Sequence, residues 1–433
     1  MKTRRFVRAV GKKPRPMKKM SPFQRIARRL LFSRLEKLQV GRLDILEGEE
    51  CARFGVRNGA PPLAAVVTVE DPRFYTQVLL GGSIGASESY MAGHWHCSDL
   101  AVLIRLILGN REVLFALETT WEKVRSPLDK LYHRLRRNTR AGSRTNIEAH
   151  YDLGNDFYAL FLDKTMTYSC GLFETSGATL EQASVAKYER ICKKLRLNGD
   201  DHLLEIGTGW GGFALHAATQ FGCRVTTTTV SRAQYEFAQD RIRRAGLENR
   251  VELLLQDYRD LRGCYDKLVS IEMIEAVGHH YLETFFGACS RLLKEDGLMV
   301  LQAITIEDQI YDLHTRTADF IKRYIFPGSC IPSLTAICHA VTGGTDMRLA
   351  HLEEITPHYV RTLRQWRQNF FNNLEAIRTL GYDDRFIRMW EYYFCYCEGG
   401  FEERYIRDVQ AVLMKPRCDT AVSISMLPQG TQS

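Results

Sequence analysis

The residues best equipped for chemistry are the glycines of one short run, HLLEIGTGWGG at 202–212. Leu203, Leu204 and Ile206 make a buried-strand pattern, Gly207, Gly209, Gly211 and Gly212 make a turn, and Phe213 to Gln220 reads as the start of a helix. Glycines there let the main chain approach a ligand and adopt dihedrals closed to other residues. Strand, glycine turn and helix in that order place a nucleotide-like ligand at the carboxyl end of the first strand. Dinucleotide sites and plain connections share the pattern, so its neighbours must choose. A nicotinamide enzyme ends its second strand in an acid that holds the ribose hydroxyls. Here that strand ends in Thr227, Thr228, Thr229, Val230 and Ser231. The acid comes one strand later, as Asp257 in LLQDYRD, where it suits an adenine amino group or, alternatively, caps a turn. This combination favours S-adenosylmethionine (SAM) over NAD.

Those residues need a sheet to hold them. The spacing predicts a helix over Thr179–Leu197, strands at 202–207, Arg224–Val230, Val251–Gln256, Lys267–Ile271 and Gly297–Ile306, and a helix from the Ser231 cap to Ala245. A further helix places Tyr281, Phe285, Cys289 and Leu292 on one face. Strands alternating with helices at this spacing indicate an α/β fold with a doubly wound parallel sheet. Residues 307–354 read as a long insertion of weak periodicity, followed by amphipathic helices over 357–379 and 384–401 and a last strand at 409–415.

Upstream, residues 41–115 look like a small mixed domain, with a strand at 63–69, a helix from Phe74 to Leu80 ended by Gly81-Gly82, and a helix from Asp99 to Leu108. Residues 116–145 read as a linker, 146–416 as the catalytic domain and 417–433 as a polar tail. The chain carries +8, yet fourteen Lys and Arg against one acid, Glu36, fall in the first forty residues, so the basicity belongs to that arm. Within the arm Phe23, Ile26, Leu30, Leu31, Leu35 and Leu38 recur at helical spacing between arginines. Such a helix suits an anionic membrane surface or caps the next domain with its basic face solvated. Aromatics do not interleave with the charges, which argues against nucleic acid. Twelve scattered cysteines without metal spacing suggest reduced thiols and no metal site. No apolar run approaches the ~20 residues of a membrane span. A cytoplasmic protein with peripheral membrane contact is expected.

Six blocks then become specific together: NIEAHYDLGNDFYALFLDKTMTYSCGLF (146–173), LLEIGTGWGG, TVSRAQ (229–234), LLQDYRDL (254–261), SIEMIEAVG (270–278) and DFIKRYIFPG (319–328). In order and spacing they resemble the cyclopropane-fatty-acyl-phospholipid synthase family over about residues 60–416. GGSIGASESYMAGHW (81–95) is similar to that family's amino-terminal lipid-associated domain. The resemblance implies a Rossmann-like SAM-methyltransferase domain that transfers a methylene or methyl group to the double bond of an unsaturated phospholipid acyl chain. It also implies cofactor contacts from Tyr168 and Ser169 and from the turn Leu203, Leu204, Glu205, Gly207, Gly209, Trp210 and Gly211. Thr229, Ser231 and Gln234 would lie near the ribose, and Asp257 with Tyr258 near the adenine. A homodimer is allowed by the resemblance but not displayed by the residues.

An alkene attacking the sulfonium methyl leaves a carbocation, and a base must then take a proton for the ring to close. Family members hold a bicarbonate for this, and the resemblance assigns its ligands to the backbone of Cys170 and Ile304 and the side chains of Glu275 and Tyr359. Some members carry His where this chain has Gln302, which can hydrogen-bond to an anion but cannot relay a proton. The alternative outcome is a methyl- or methylene-branched chain. Each residue has a structural competitor: Glu275 as a helix cap, and Tyr359 on the stripe with Leu363, Trp366 and Phe370. Cys397, matched to a cysteine the family treats as an active-site candidate, lies on a buried aromatic stripe. His150 and Tyr151 would orient the loop over the cofactor. Tyr324, Phe326 and Phe394 would line an acyl channel or fill the core. Other readings are a methyltransferase for an amine or base, and a non-catalytic lipid-binding protein.

Overall fold

The structure, a computed structural model, describes residues 18–56, 63–113 and 153–419. The expectations for the first seventeen residues, the linker, His150, Tyr151 and nearly all of the tail lie outside them. The chain divides into two compact units. One gathers the described residues up to 113 with Thr317–Ile325 and Leu374–Tyr405; the other holds the rest.

In the first unit, helix α1 (Pro22–Leu35) starts at a capping box in which Ser21 and Gln24 satisfy each other's main-chain donors. The expected apolar stripe splits in two. Ala27, Leu31 and Leu35 are buried, whereas Phe23, Ile26 and Leu30 stay 50%, 55% and 48% exposed. Strands β1 (Arg42–Glu47), β2 (Glu50–Gly55), β3 (Ala64–Val69) and β4 (Trp95–Cys97) form a sheet in the order β2-β1-β3-β4. Helix α2 (Arg73–Met91) does not stop at Gly81-Gly82 as expected. It kinks at Gly82 (φ 55°, ψ −136°) and continues, because Ile84, Tyr90 and Met91 beyond the kink are buried and need the helix to reach the core. Helix α3 (Leu100–Gly109) is capped by Asp99. Against α2 and α3 packs the helix Asp384–Glu402, which the sequence reading had placed in the catalytic domain. Its stripe of Trp390, Tyr393, Phe394 and Phe401 required an apolar partner, and the apolar α3 supplies one.

The second unit is the expected doubly wound fold. Its elements are α4 (Asn155–Ala159), α5 (Leu180–Leu195), β5 (His202–Ile206), α6 (Gly212–Phe221), β6 (Arg224–Thr229), α7 (Arg232–Arg244), β7 (Val251–Leu255), β8 (Tyr265–Ile271), α8 (Leu282–Leu292) and β9 (Leu293–Ile306). After them come α9 (Asp308–Arg316), α10 (Leu334–Gly344), β10 (Arg348–Glu354), α11 (Thr356–Asn372) and β11 (Ile406–Met414). The sheet order is β10-β11-β9-β8-β5-β6-β7, with β5 to β9 parallel and β11 antiparallel to both its neighbours. Both sheet faces are covered by apolar clusters, one around Leu204, Phe285 and Leu301 and the other around Leu203, Phe213 and Val300. From β5 the chain winds outward to β6 and β7, then returns to β8 on the other side. The crevice between the carboxyl ends of β5 and β8 is therefore the switch point where ligands of such sheets bind. The part read as a weakly periodic insertion supplies α9, α10 and β10.

Candidate active site

The β5 side of the crevice is the glycine turn. Leu203 and Leu204 go into the core, and Glu205 is buried beneath the turn, where the Thr227 hydroxyl donates to its Oε2 at 2.5 Å. Burial pushes the Glu205 carboxyl up to about 8, so this residue supports the turn from below as a neutral acid at neutral pH. The N–H groups of Gly207 and Thr208 both donate to the Thr228 carbonyl. Gly207, Gly209 and Gly211 all have positive φ (107°, 53° and 84°), and a Cβ on Gly209 would meet nothing within 4 Å. Gly209 thus presents bare main chain to open space. Trp210 donates through its indole N–H to Asn155 Oδ1 at 2.7 Å and lies against Tyr158. Beyond β6, Thr229 donates to Gln234 Oε1 at 2.8 Å, and Ser231 caps α7 by accepting from Gln234 N–H. Asp257, two residues beyond β7, caps the next turn by accepting from Arg259 N–H, and also takes the Arg259 guanidinium at 2.8 and 2.6 Å. Tyr258 beside it packs edge-on against Phe285.

The β8 side is a cluster of acids. Glu272 follows β8 directly, in left-handed backbone (φ 46°) that turns its side chain under the loop 166–173. Its carboxylate accepts from Cys170 N–H at 2.8 Å, Gln302 Nε2 at 2.7 Å and the Tyr359 hydroxyl at 2.6 Å. Glu275 accepts from Ile304 N–H at 2.5 Å on one oxygen, while Oε2 has no hydrogen-bond partner among the described residues. Asp408 on β11 shares the Gln302 amide at 3.1 Å, and its Oδ1 likewise has no such partner. Lys187 on α5, fully buried, faces Glu272 and Asp408 and donates to Ser169 Oγ. Glu272 and Asp408 thus face the Lys187 ammonium, and Glu275 lies beside both acids. Burial raises the pKa of all three, that of Glu275 to about 8 and that of Asp408 well above the usual carboxylate range; for Glu275 and Asp408 the neighbouring acids raise it further. Lys187 also faces Asp163 and Glu205. Hydrogen bonds favour the charged form most at Glu272, which holds three donors, while Glu275 and Asp408 each keep an oxygen without a partner among the described residues.

The loop between the two sides is pinned by its main chain: Cys170 N–H on Glu272, Gly171 N–H on Thr362 Oγ1 at 3.1 Å and Phe173 N–H on His358 Nδ1 at 3.1 Å. Tyr168 stands in an aromatic wall, with ring centroids 5.4 Å from Tyr158, 5.2 Å from Trp366 and 6.2 Å from Phe326. Trp366 also meets the Tyr359 ring edge-on. Of the residues named from sequence, Cys170, Gln302, Ile304, Glu275 and Tyr359 thus come together, but as partners of the chain's own acids. The donors assigned to bicarbonate from Cys170 and Tyr359 are taken by Glu272, and the one from Ile304 by Glu275, so the residues present do not fit that ion.

Cys397 belongs to the helix Asp384–Glu402 of the first unit, where burial pushes its thiol far up and keeps it protonated. Phe394 is buried in the same helix against Trp390, and Tyr324 of that unit donates to Glu88 at 2.6 Å. Sequence reading missed Glu272, Asp408 and Lys187, and placed Trp366 only on an apolar stripe. Glu272 stood in the SIEM block already singled out, at the carboxyl end of β8. Lys187 was legible as a lysine on the apolar face of α5, between Ala183 and Ile191.

Comparisons with known proteins agree with this fold. The family model described as mycolic acid cyclopropane synthetase matches residues 138–411. The chain is 37% identical over 341 residues to the tuberculostearic acid methyltransferase UfaA1 of Mycobacterium tuberculosis, covering 77% of this chain and 79% of that one. It is 34% identical over 384 residues to the cyclopropane-fatty-acyl-phospholipid synthase of Escherichia coli, covering 86% and 93%. Among solved structures, the cyclopropane synthase MmaA2 of Mycobacterium tuberculosis superposes with a TM-score of 0.59 at 30% identity, over 63% of this chain and 98% of that one. The mycolic acid cyclopropane synthase CmaA1 complexed with SAH and CTAB gives the same values.

Proposed function

This chain belongs to the mycolic acid cyclopropane synthetase family and is a SAM-dependent methyltransferase, and we propose that it alkylates the double bond of unsaturated phospholipid acyl chains with Glu272 as its resident base. The observation that carries the reading is the Glu272 carboxylate, facing Lys187 and held by Cys170, Gln302 and Tyr359 at the crevice. The glycine turn and Tyr168 would hold the donor, which would supply an electrophilic sulfonium methyl to the alkene. The π faces of Tyr168 and Trp366 favour the resulting cation over bulk water. Glu272 then takes one proton, so donor and alkene become demethylated donor, product and a protonated acid, with no oxidant or reductant. Loss of that proton from the transferred carbon closes the ring or, after a hydride shift between the two former alkene carbons, leaves a methylene branch. Loss from a chain carbon leaves a branched alkene, a second reading favoured by Gln302 and by the likeness to a tuberculostearic acid methyltransferase.

SAM with a trideuterated methyl, offered with vesicles of unsaturated phospholipid, tests both. A ring and a methylene branch each lose one deuterium from the transferred carbon and are told apart by ozonolysis, which cleaves only the alkene, whereas a branch with a chain double bond keeps all three. No label in the acyl fraction would overturn the reading. The outward stripe of α1, with exposed Arg25 and Arg29 beside Phe23, Ile26 and Leu30, supports approach to an anionic bilayer. No helix of the described residues is long and apolar enough to cross one.

A further inference from the structure

Lys194 lies on the buried face of α5, two turns beyond Lys187. Its ammonium donates to Glu353 Oε2 at 2.5 Å and to Gln410 Oε1 at 2.7 Å. An ammonium can only donate, so Gln410 must present its carbonyl oxygen to Lys194 and its NH2 the other way. Gln410 on β11 stands directly opposite Gln302 on β9, and its Nε2 donates to Gln302 Oε1 at 3.0 Å. Gln302 is thereby left with its own NH2 turned to Glu272 and Asp408. Both amides are fully buried, so bulk water offers no alternative partner. A donor-only cation at one end and acceptors at the other fix the sense of every bond between.

We propose that Lys194 and Gln410 are positioning residues for the base: the one-way chain Lys194–Gln410–Gln302 keeps an amide NH2 against the Glu272 carboxylate. The inference rests on the reading of Glu272 as the proton acceptor. A Gln302 free to turn would face that carboxylate with its carbonyl oxygen, and Glu272 would hold a proton before the cation forms. The other groups that face Glu272 are Lys187 from α5, Asp408 from β11, Glu275 from its own turn, Tyr359 from α11 and the Cys170 thiol. None of them is altered by changes to the chain.

The experiment is the pH dependence of kcat for the full chain, with SAM and unsaturated phospholipid vesicles. Gln410→Leu and Lys194→Met are expected to move the acid limb upward by about one pH unit, about a tenfold loss of kcat on that limb, with KM for SAM unchanged. Lys194→Arg, still donor-only, is expected to keep the wild-type limb. Lys194→Met leaves Glu353 paired with Arg190 at 2.6 Å, so either variant decides the matter if the other does not fold. A limb that stays in place in a folded variant, or a kcat lowered evenly at every pH, would overturn the inference. Glu272→Gln is measured in parallel. If it stays active, the base reading falls. If it is dead while the limbs of the chain variants stay unmoved, only the positioning chain falls.

Discussion

Each unit buries a glutamate that accepts a tyrosine hydroxyl, and the two are treated in opposite ways. In the first unit Glu47 takes the Tyr75 hydroxyl and a bidentate grip from Arg28, so its charge has a cation of its own. In the second, Glu272 takes the Tyr359 hydroxyl, but the ammonium it faces is shared with Asp408, and both Asp408 and the adjacent Glu275 keep an oxygen without a hydrogen-bond partner among the described residues. Burying surplus carboxylates is costly. A fold that needed only to hold its strands together would answer Glu272 as it answers Glu47. Stability arranged the first site; proton chemistry is the reading that accounts for the second.

The largest expected effect follows. Glu272→Gln keeps the shape and the amide partner but removes the base, and kcat should fall about 10²- to 10⁴-fold while SAM still binds by calorimetry. Glu47→Gln should do the reverse, since it leaves Arg28 without its anion: a lower melting temperature, with turnover per folded molecule unchanged. Equal losses of turnover in both would erase the distinction between them.

Next comes the surplus acid itself. Glu275 titrates at about 8 in the folded chain against an ordinary value of 4.5, chiefly through burial and then through Glu272. Between those values the folded state holds a proton that the unfolded state has lost. Stability is therefore full below about pH 4.5 and declines as pH rises toward 8. Glu275→Gln has no proton to lose, so it should melt several degrees above the parent at pH 8.5 and close to it at pH 5. Parallel melting curves at both pH values would mean that Glu275 is ionised in the fold.

How much of this was legible beforehand depends on the range of the signal. The glycine turn is local, written in eleven consecutive residues, and the alternation of strands and helices is nearly so; both were readable. Which acid carries the charge is not local. It depends on a loop N–H at Cys170, on a tyrosine from α11 and on the register that sets Gln410 opposite Gln302. The resemblance names Glu275, in the same block, as an anion ligand and passes over Glu272. The helix Asp384–Glu402 failed for a related reason: its stripe declares an apolar face but not which unit will cover it. Gly82 misled differently, because a glycine that interrupts the periodicity was read as a stop, while the buried residues after it carry the helix on.

The smallest effect concerns α1, which the Glu47 corner holds in place through Arg28. That grip and the packing of Ala27, Leu31 and Leu35 fix which way the helix faces, so Phe23, Ile26 and Leu30 point outward by construction. If this face meets lipid, Ile26→Ser and Leu30→Ser should each weaken binding to anionic vesicles by on the order of 1 kcal/mol, roughly fivefold, at any salt. Arg25→Gln and Arg29→Gln should weaken it only at low ionic strength, because exposed charges are screened beyond a Debye length. A second copy of the same helix is a poorer occupant, since it would set arginine against arginine. Sedimentation of vesicles with the full chain, at low and high salt, separates the two components. Binding indifferent to all four substitutions would make α1 a domain cap whose basic side is simply solvated.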